Sequence, residues 1–587
     1  MSKDAFNSKL DFIFQHPLFL CFTFVEKKRL SQLYLTIFLM LIAAFLEVVS
    51  VGSVVPLVAS IIGSSMPNFI SIILEFFSVD TMSAELNRPF GFQIIFTAFL
   101  LMVIISTIFR LVAQYGIIWF TNQLGFDLTN RSFLVVLNQD YQFHVDTNSS
   151  EILATINKVQ SIMNGVISPV LQSISSSIIA IAIIAFLTIL NWKIALITFL
   201  LMFLTYVAIS YIVKKKLNLN SIIISKALSQ RVKIVNEGLG NISQLILSDR
   251  VNNQYKLFVQ NEVGFKVASV ENGFISAAPK FIVEGIGILV LLLSAYFLTT
   301  MGSSTLDVLP TIAAFAFATQ KLLPSLQTIF QAWSKISGNM KLIQDLLSIL
   351  TLPTTYKSPS VNQCGEFKKV SFVDVCFKHS NGYEVLKDVN LEIIRGDVIG
   401  IVGETGSGKS TFVSILSHLI SPTDGHLSVI NQKGCEYSRA EWQSNIAYVP
   451  QNPFFLDESI INNISLEDDP KKIDIKKLRS AIKVSQLSKF ISSLEYGLET
   501  GMGERGAKLS GGQLQRIAIA RALYADKSLI ILDEATSALD NLTETNLLQA
   551  LMTESVGKTI IFITHRPEAL KICTKIFKLT NKSLEKL

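Results

Sequence analysis

At residues 403–410 the chain reads Gly403-Glu404-Thr405-Gly406-Ser407-Gly408-Lys409-Ser410, directly after the apolar run Val398-Ile399-Gly400-Ile401-Val402. A strand, a glycine-rich loop and the start of a helix in this order are typical of a P-loop, whose backbone N–H groups wrap phosphates. The pattern predicts that Lys409 reaches the β- and γ-phosphates of a nucleotide and that Ser410, followed by Thr411, ligates Mg²⁺. The second half of the chain is therefore predicted to be an α/β nucleotide-binding domain.

Two acidic residues end another apolar run further along the chain. Leu529-Ile530-Ile531-Leu532 is followed by Asp533 and Glu534. Asp533 is placed to hold Mg²⁺, and Glu534 is placed to polarise an attacking water as a general base. Two acids after a buried strand are also compatible with a simple helix start, but the phosphate loop upstream favours the catalytic interpretation.

The stretch Leu509-Ser510-Gly511-Gly512-Gln513 resembles the signature motif of ABC ATPases. Further segments match motifs of that family in their usual order. These are Gln451 in a Q-loop, the exporter-type loop Gly503-Glu504-Arg505-Gly506, the D-loop Ser537-Ala538-Leu539-Asp540, and His565 after the apolar run Ile560–Thr564.

The resemblance implies an ATPase that works as a dimer. In the family the signature caps the γ-phosphate of ATP held by the other subunit, so hydrolysis requires two copies of the domain. It also implies that Gln451 contacts Mg²⁺ and that His565 contacts the γ-phosphate. An aromatic residue usually stacks on adenine, and His379 aligns with that position, with Tyr383 as a nearby alternative.

The composition of the whole chain indicates that part of it lies in a membrane. Of 587 residues, 50% are hydrophobic and 16% are charged, whereas soluble domains average about 25% charged residues. A membrane helix needs roughly 20 apolar residues, and six such spans are predicted at about 33–63, 91–120, 165–190, 194–213, 274–299 and 307–335.

Charge placement predicts the topology. Lys27, Lys28 and Arg29 precede the first span and Lys214-Lys215-Lys216 follows the fourth, so the positive-inside rule places both termini in the cytoplasm. The net charge of +6 is explained by such loops and does not indicate nucleic-acid binding. None of the five cysteines forms a CxxC pair, which argues against a zinc site.

The expected fold class is a helical, polytopic, exporter-type membrane domain followed by an ABC-type P-loop ATPase domain. The membrane domain is predicted over 1–345, with an interfacial helix at about 5–25 and no signal peptide, the linker over 346–366 and the ATPase over 367–587. The apolar segment at 67–77 is predicted to be a short external helix, and an extension of the first span is equally compatible with its pattern.

Charged residues within the predicted spans mark a candidate substrate cavity, because such charges are costly in a membrane. They are Glu47, Arg110, Lys280, Glu284 and Lys321. Arg110 and Lys280 are also compatible with positions near the interface. Three cations with two anions predict a cavity suited to a polar, anionic cargo.

The membrane half resembles bacterial lipid-linked oligosaccharide flippases. The resembling residues are Glu47 with Pro56, Arg110, Asn148–Leu153, Pro279-Lys280 with Glu284–Gly287, and Lys321 with Pro324. The sequence departs from the family at Gln327 and Thr328, where a further basic residue is expected. The resemblance implies a homodimer in the bacterial inner membrane that translocates a lipid-linked glycan using ATP and Mg²⁺. An exporter of peptides, lipids or drugs and an ATP-gated channel are the alternatives.

Overall fold

The computed structural model describes residue 23 and residues 27–54, 57–58, 61, 89–300, 305–353, 366–379, 382–467, 469–555 and 557–587. Contacts divide the chain into two compact units, residues 1–139 with 146–354 and residues 140–145 with 355–587. Several sequence-based expectations fall outside the described residues. They concern the interfacial helix apart from residue 23, Pro56, the external segment 67–77 and most of the predicted linker.

The helices before residue 354 are α1 (Lys27–Gly52), α2 (Pro89–Leu137), α3 (Tyr141–Asp146), α4 (Ser149–Ile162), α5 (Ser168–Gly240), α6 (Ile242–Leu247), α7 (Val251–Ala277), α8 (Pro279–Thr300), α9 (Thr305–Gly338) and α10 (Met340–Leu350). A turn of π-helix, Met163–Ile167, joins α4 to α5.

The chain doubles back within α5. A straight helix of its 73 residues would extend about 110 Å. Hydrogen bonds nevertheless join α4, which leads through the π-turn into α5, to the second half of α5. Lys158 Nζ donates to Ser225 Oγ at 3.0 Å, and Asn236 Nδ2 donates to Ser150 Oγ at 3.3 Å. Two antiparallel spans therefore meet between residues 189 and 195, as the predicted spans at 165–190 and 194–213 require.

The membrane unit carries long apolar helices. Among the described residues, four segments are long and apolar enough to cross a bilayer, namely Lys27–Gly52, Phe96–Leu137, Ser149–Ile189 and Ala195–Gly240. The predicted span at 274–299 covers the end of α7 and most of α8, and the predicted span at 307–335 lies within α9. Large apolar side chains such as Phe45 and Leu111 are about two-thirds exposed, which suits a surface facing lipid. The number of six spans remains a prediction.

The elements of the second unit are β1 (Phe367–Lys378), β2 (Glu384–Ile394), β3 (Val398–Val402), α11 (Lys409–Leu416), β4 (Asp424–Asn431), α12 (Arg439–Gln443), β5 (Ile446–Val449), α13 (Ile460–Ser465), α14 (Ile475–Val484), α15 (Ser488–Ser492), α16 (Gly511–Tyr524), β6 (Leu529–Asp533), α17 (Asn541–Glu554), β7 (Thr559–Ile563), α18 (Pro567–Lys571), β8 (Lys575–Thr580) and β9 (Ser583–Lys586).

The described strands form two sheets. A three-stranded antiparallel sheet has the order β2-β1-β4, and a six-stranded sheet has the order β5-β6-β7-β3-β8-β9, in which only β9 is antiparallel to its neighbour. Alternate residues of β6 enter two different cores, Ile530 and Leu532 on one face and Leu529 and Ile531 on the other. Burial on both faces explains why these parallel strands are apolar throughout.

Candidate active site and membrane cavity

Four of the predicted ATPase motifs follow strands that are neighbours in one sheet. Gln451 follows β5, Asp533 ends β6 and Glu534 follows it, His565 follows β7, and the loop 403–410 follows β3. Because β5, β6, β7 and β3 are parallel and adjacent, their carboxyl ends meet at one edge, where open α/β sheets bind ligands. The sheet therefore brings together motifs that are far apart in sequence.

The glycine-rich loop has a backbone suited to phosphate. Gly408 has φ of +106°, in the left-handed region, and a Cβ on Gly403 would lie 2.7 Å from the carbonyl oxygen of Leu579. Lys409 Nζ donates to the carbonyl oxygens of Gly403 (2.5 Å) and Glu404 (2.9 Å). The Ser407 hydroxyl is buried and has no hydrogen-bond partner within the described chain. A buried donor beside a helix N-terminus fits a phosphate oxygen.

Glu534 is held on two sides. Its backbone has φ of +49°, and its N–H donates to the Ile563 carbonyl oxygen at 2.9 Å. Gln451 Nε2 donates to Glu534 Oε2 at 2.7 Å. The carboxylate is therefore oriented by a neighbouring motif and keeps free acceptor positions for a water proton.

Asp533 lies at the buried end of β6. Tyr448 Oη donates to Asp533 Oδ2 at 3.2 Å. Burial raises the pKa of the Asp533 carboxyl above its ordinary value, and the charge of Glu534 adds to this, while the hydrogen bond from Tyr448 opposes it. Carboxylate and hydroxyl oxygens are the ligands that Mg²⁺ prefers, so Asp533 and the exposed Ser410 fit a magnesium–nucleotide.

The signature residues begin α16. Ser510 and Gln513 form a reciprocal capping box, in which the Ser510 hydroxyl accepts from the Gln513 N–H and the Gln513 side chain accepts from the Ser510 N–H. Gly511 and Gly512 follow on the first turn. Asp540 caps α17 by accepting from the Thr543 N–H at 3.0 Å, and this hydrogen bonding lowers the pKa of Asp540. The Ser510 turn is an exposed helix N-terminus that fits a second anion site.

The two candidates for adenine stacking are both exposed. The His379 ring packs edge-on against Phe377 with ring centroids 5.2 Å apart, and the backbone N–H of His379 donates to the Tyr383 carbonyl oxygen at 3.0 Å. The Tyr383 ring is 62% exposed and lies 5.7 Å from Lys582 Nζ. Either ring is accessible, so the choice between them stays open.

Four polar residues of this region were not predicted from the sequence, namely Tyr448, Gln515, Glu544 and Arg566. Tyr448 lies just before the Q-loop and Arg566 directly follows His565, so adjacency to motifs was a signal for these two. Gln515 lies two residues after Gln513 in the signature stretch, so adjacency was a signal for it as well, whereas Glu544 lies within α17 and gave no comparable signal.

A cavity of about 190 Å³ lies within the membrane unit. Lys321 Nζ donates to Glu47 Oε1 at 2.7 Å, and Ser106 Oγ donates to Glu47 Oε2 at 2.8 Å. Arg110 also lines the cavity, together with the polar residues Gln114, Gln172, Ser175, Ser176, Ser325 and Thr328. Three of the five predicted cavity residues are thus brought together.

Lys280 and Glu284 lie elsewhere. Both are exposed on α8, and neither is among the residues that line this cavity. Gln327 is buried, at 6% exposed, and its side chain accepts from Tyr206 Oη at 3.1 Å and donates to the Ser276 carbonyl oxygen at 3.0 Å. Its position therefore does not suit contact with a cargo headgroup. The expectation that all five charged residues line one cavity is therefore not met within a single chain, where only Glu47, Arg110 and Lys321 line it.

Both halves of the chain match known families. The "ABC transporter transmembrane region" profile matches residues 49–322, and the "ABC transporter" profile matches residues 386–537. The chain is similar to an "ATP-dependent lipid A-core flippase" of Cupriavidus metallidurans, with 26% identity over 454 residues that cover 74% of each chain.

Similarity also extends to a cyanobacterial protein and to a solved structure. "Heterocyst differentiation ATP-binding protein HepA" of Nostoc sp. is 26% identical over 484 residues, covering 81% of this chain and 78% of that protein. The "Structure of a bacterial Atm1-family ABC exporter with ATP bound" superposes with a TM-score of 0.76 at 19% identity, covering 96% of this chain and 95% of the other. The chain therefore belongs to the ABC transporters, as an exporter-type half-transporter in which one transmembrane region and one ATPase domain couple ATP hydrolysis to transport.

Proposed function

We propose that two copies of this chain form a homodimer that flips a polyprenyl-pyrophosphate-linked oligosaccharide from the inner to the outer leaflet of a bacterial inner membrane. Both termini and the ATPase domain face the cytoplasm on this proposal. Similarity to two proteins named ATP-dependent lipid A-core flippase, each about 26% identical to this chain, supports a lipid-linked cargo in general.

The ATPase site works with Mg²⁺ and two subunits. Lys409 neutralises the β- and γ-phosphates, and Ser410, Asp533 and Gln451 hold the metal, which supplies charge neutralisation when bound. Glu534 polarises the attacking water and His565 contacts the γ-phosphate. The other subunit contributes its signature turn, with Asp540 close to the shared interface.

The charge of the membrane cavity is the observation that carries the cargo proposal. Lys321 and Glu47 form an ion pair at 2.7 Å and so cancel each other's charge, which leaves the guanidinium of Arg110 as a positive charge on the cavity wall. Attraction between this charge and a pyrophosphate is strengthened by the low dielectric of the membrane. A purely apolar cargo would need no such residue.

Flipping of a labelled lipid-linked glycan in proteoliposomes tests the proposal. Arg110→Gln removes the cavity charge without exposing the buried Glu47 carboxylate, which substitution of Lys321 alone would leave unpaired. We expect Arg110→Gln to flip several-fold less glycan per ATP hydrolysed than the wild type. Lys193→Gln is the matched control, because it removes an exposed lysine that does not line the cavity.

The outcomes separate the proposal from its alternatives. Equal flipping by Arg110→Gln and the wild type would refute the pyrophosphate role. A wild-type protein that moves a different lipid, a peptide or a drug but no glycan would refute the flippase assignment and leave the exporter. Unitary ion currents in a planar bilayer would instead indicate a channel.

A further inference from the structure

Arg566, directly after His565, turns its side chain toward the D-loop. Its Nη1 donates to Glu544 Oε2 (2.6 Å) and to the Leu539 carbonyl oxygen (3.0 Å), and its Nη2 donates to the Ser537 carbonyl oxygen (2.6 Å). One planar guanidinium thus binds two D-loop carbonyls and a carboxylate at once, a geometry that a lysine ammonium does not reproduce.

Glu544, on α17, is the acidic partner of Arg566, and we call this ion pair the brace. Its side chain is 1% exposed, and Oε1 accepts from Thr536 Oγ1 at 2.7 Å while Oε2 accepts from Arg566. A carboxylate is tolerated at such a buried position when it is paired and hydrogen-bonded. Thr536 lies in the segment between Glu534 and the D-loop, so the pair fixes that segment from one side.

The signature helix holds the same segment from the other side. Gln515 Oε1 accepts from the Ala538 N–H at 2.8 Å, and its Nε2 donates to Ser537 Oγ at 2.8 Å and to the Glu534 carbonyl oxygen at 3.4 Å. A Cβ on Gly512 would lie 2.9 Å from the Ala538 carbonyl oxygen. The D-loop is therefore clamped between α16 and the loop that carries His565.

We propose that Arg566, together with Glu544, is a positioning residue that locks the D-loop, Glu534 and His565 into one geometry required for ATP hydrolysis. Displacing reacting groups by about 1 Å costs up to about 10²-fold in rate. Nucleotide affinity is set mainly by the phosphate loop, and among the described residues the side-chain hydrogen bonds of Arg566 go to Leu539, Glu544 and Ser537. The inference rests on the proposed roles of Glu534 and His565 and is independent of the cargo.

Arg566→Lys in the full-length protein, purified and reconstituted in nanodiscs, is the first test. Lysine keeps the charge beside Glu544 but cannot bind both carbonyls, so we expect kcat for ATP to fall at least about tenfold, with KM and nucleotide Kd changed by less than about twofold. Lys571→Met is the matched control, since Lys571 pairs with Glu568 on the exposed surface of α18 and its loss leaves kcat unchanged. Glu534→Gln in the same assay checks the proposed base separately.

The double variant Arg566→Met with Glu544→Leu guards against a failure to fold. Replacing a buried ion pair by apolar residues of similar size is often neutral for stability, yet this variant lacks the donors to Ser537 and Leu539. We expect it to remain folded by thermal unfolding and to show the same loss of kcat as Arg566→Lys. A kcat equal to that of the wild type in either variant overturns the proposal. A loss of kcat that is accompanied by an equal loss of nucleotide affinity also overturns it.

Discussion

Replacing Asp345 by Asn is expected to destabilise the membrane unit by about 3–5 kcal/mol, the range for a buried ion pair that loses one partner. Lys158 is 3% exposed, and its ammonium donates to Asp345 Oδ2 (2.7 Å), Ser225 Oγ (3.0 Å) and Ser229 Oγ (2.9 Å). In the Asn variant only neutral acceptors would face this buried charge.

Substitution of the other partner, Lys158, is expected to destabilise the membrane unit less. Lys158→Met removes the buried cation, and Asp345 keeps Lys341 at 3.0 Å and its hydrogen bond from Ser225. We expect a loss of about 1.5–2 kcal/mol, the lower part of the range for one charged hydrogen bond. The structure therefore predicts an asymmetry between two substitutions that break the same pair.

Thermal unfolding of the full-length protein in detergent measures this difference. At about 2 °C per kcal/mol for a large domain, Asp345→Asn should lower Tm by roughly 6–10 °C, and Lys158→Met by less than half as much. Lys233→Met, at an exposed pair with Glu237, is the control and should stay within about 1 kcal/mol. Equal shifts for Asp345→Asn and Lys158→Met would refute the reasoning.

Acid gives a second test of the same pair. Burial alone would raise the pKa of Asp345, but hydrogen bonds from Lys158, Ser225 and Lys341 lower it below its ordinary value. A group with a lowered pKa stabilises the fold above its unfolded pKa of about 3.9 and loses that contribution as the pH falls through its folded pKa. The difference in Tm between the wild type and Asp345→Asn should therefore be largest at neutral pH and should decrease below about pH 4.

Three further predictions concern the ATPase. Glu534→Gln should retain ATP binding but keep less than about a tenth of wild-type turnover, because loss of a general base costs 10²-fold or more; higher turnover would exclude that role. Pairing a Lys409→Ala subunit with a Ser510→Arg subunit should impair the composite site that joins both defects, and full ATPase activity would contradict shared sites. His379→Tyr should tighten nucleotide binding by under about 1.5 kcal/mol, whereas unchanged or weaker affinity in a titration would assign adenine to another residue.

The ATPase motifs were predictable because each depends on local backbone geometry. A strand, a glycine-rich loop and a helix N-terminus occupy consecutive residues at 398–416, and the structure places them there as β3, the loop and α11. The order of the strands, by contrast, follows from packing between distant segments. The brace between Arg566 and Glu544 arises from that packing, across 22 residues.

The membrane cavity was harder to predict for a physical reason. Helices that are apolar on nearly all faces give no periodic signal for which side faces a neighbour. The ion pair between Glu47 and Lys321 joins positions 274 residues apart, and its existence depends on the rotation and register of α1 and α9. Lys280 and Glu284 carry the same kinds of charge, yet the orientation of α8 leaves them exposed.

The length of α2 has a mechanical consequence. Its 49 residues extend about 73 Å, more than twice the roughly 30 Å thickness of a bilayer's hydrocarbon core. A stiff rod of this length acts as a lever, so a tilt of about 5° at one end displaces the other by about 6 Å at a rise of 1.5 Å per residue. A small angular change at one end of α2 is thereby converted into a displacement of the other end that is larger than one helical turn.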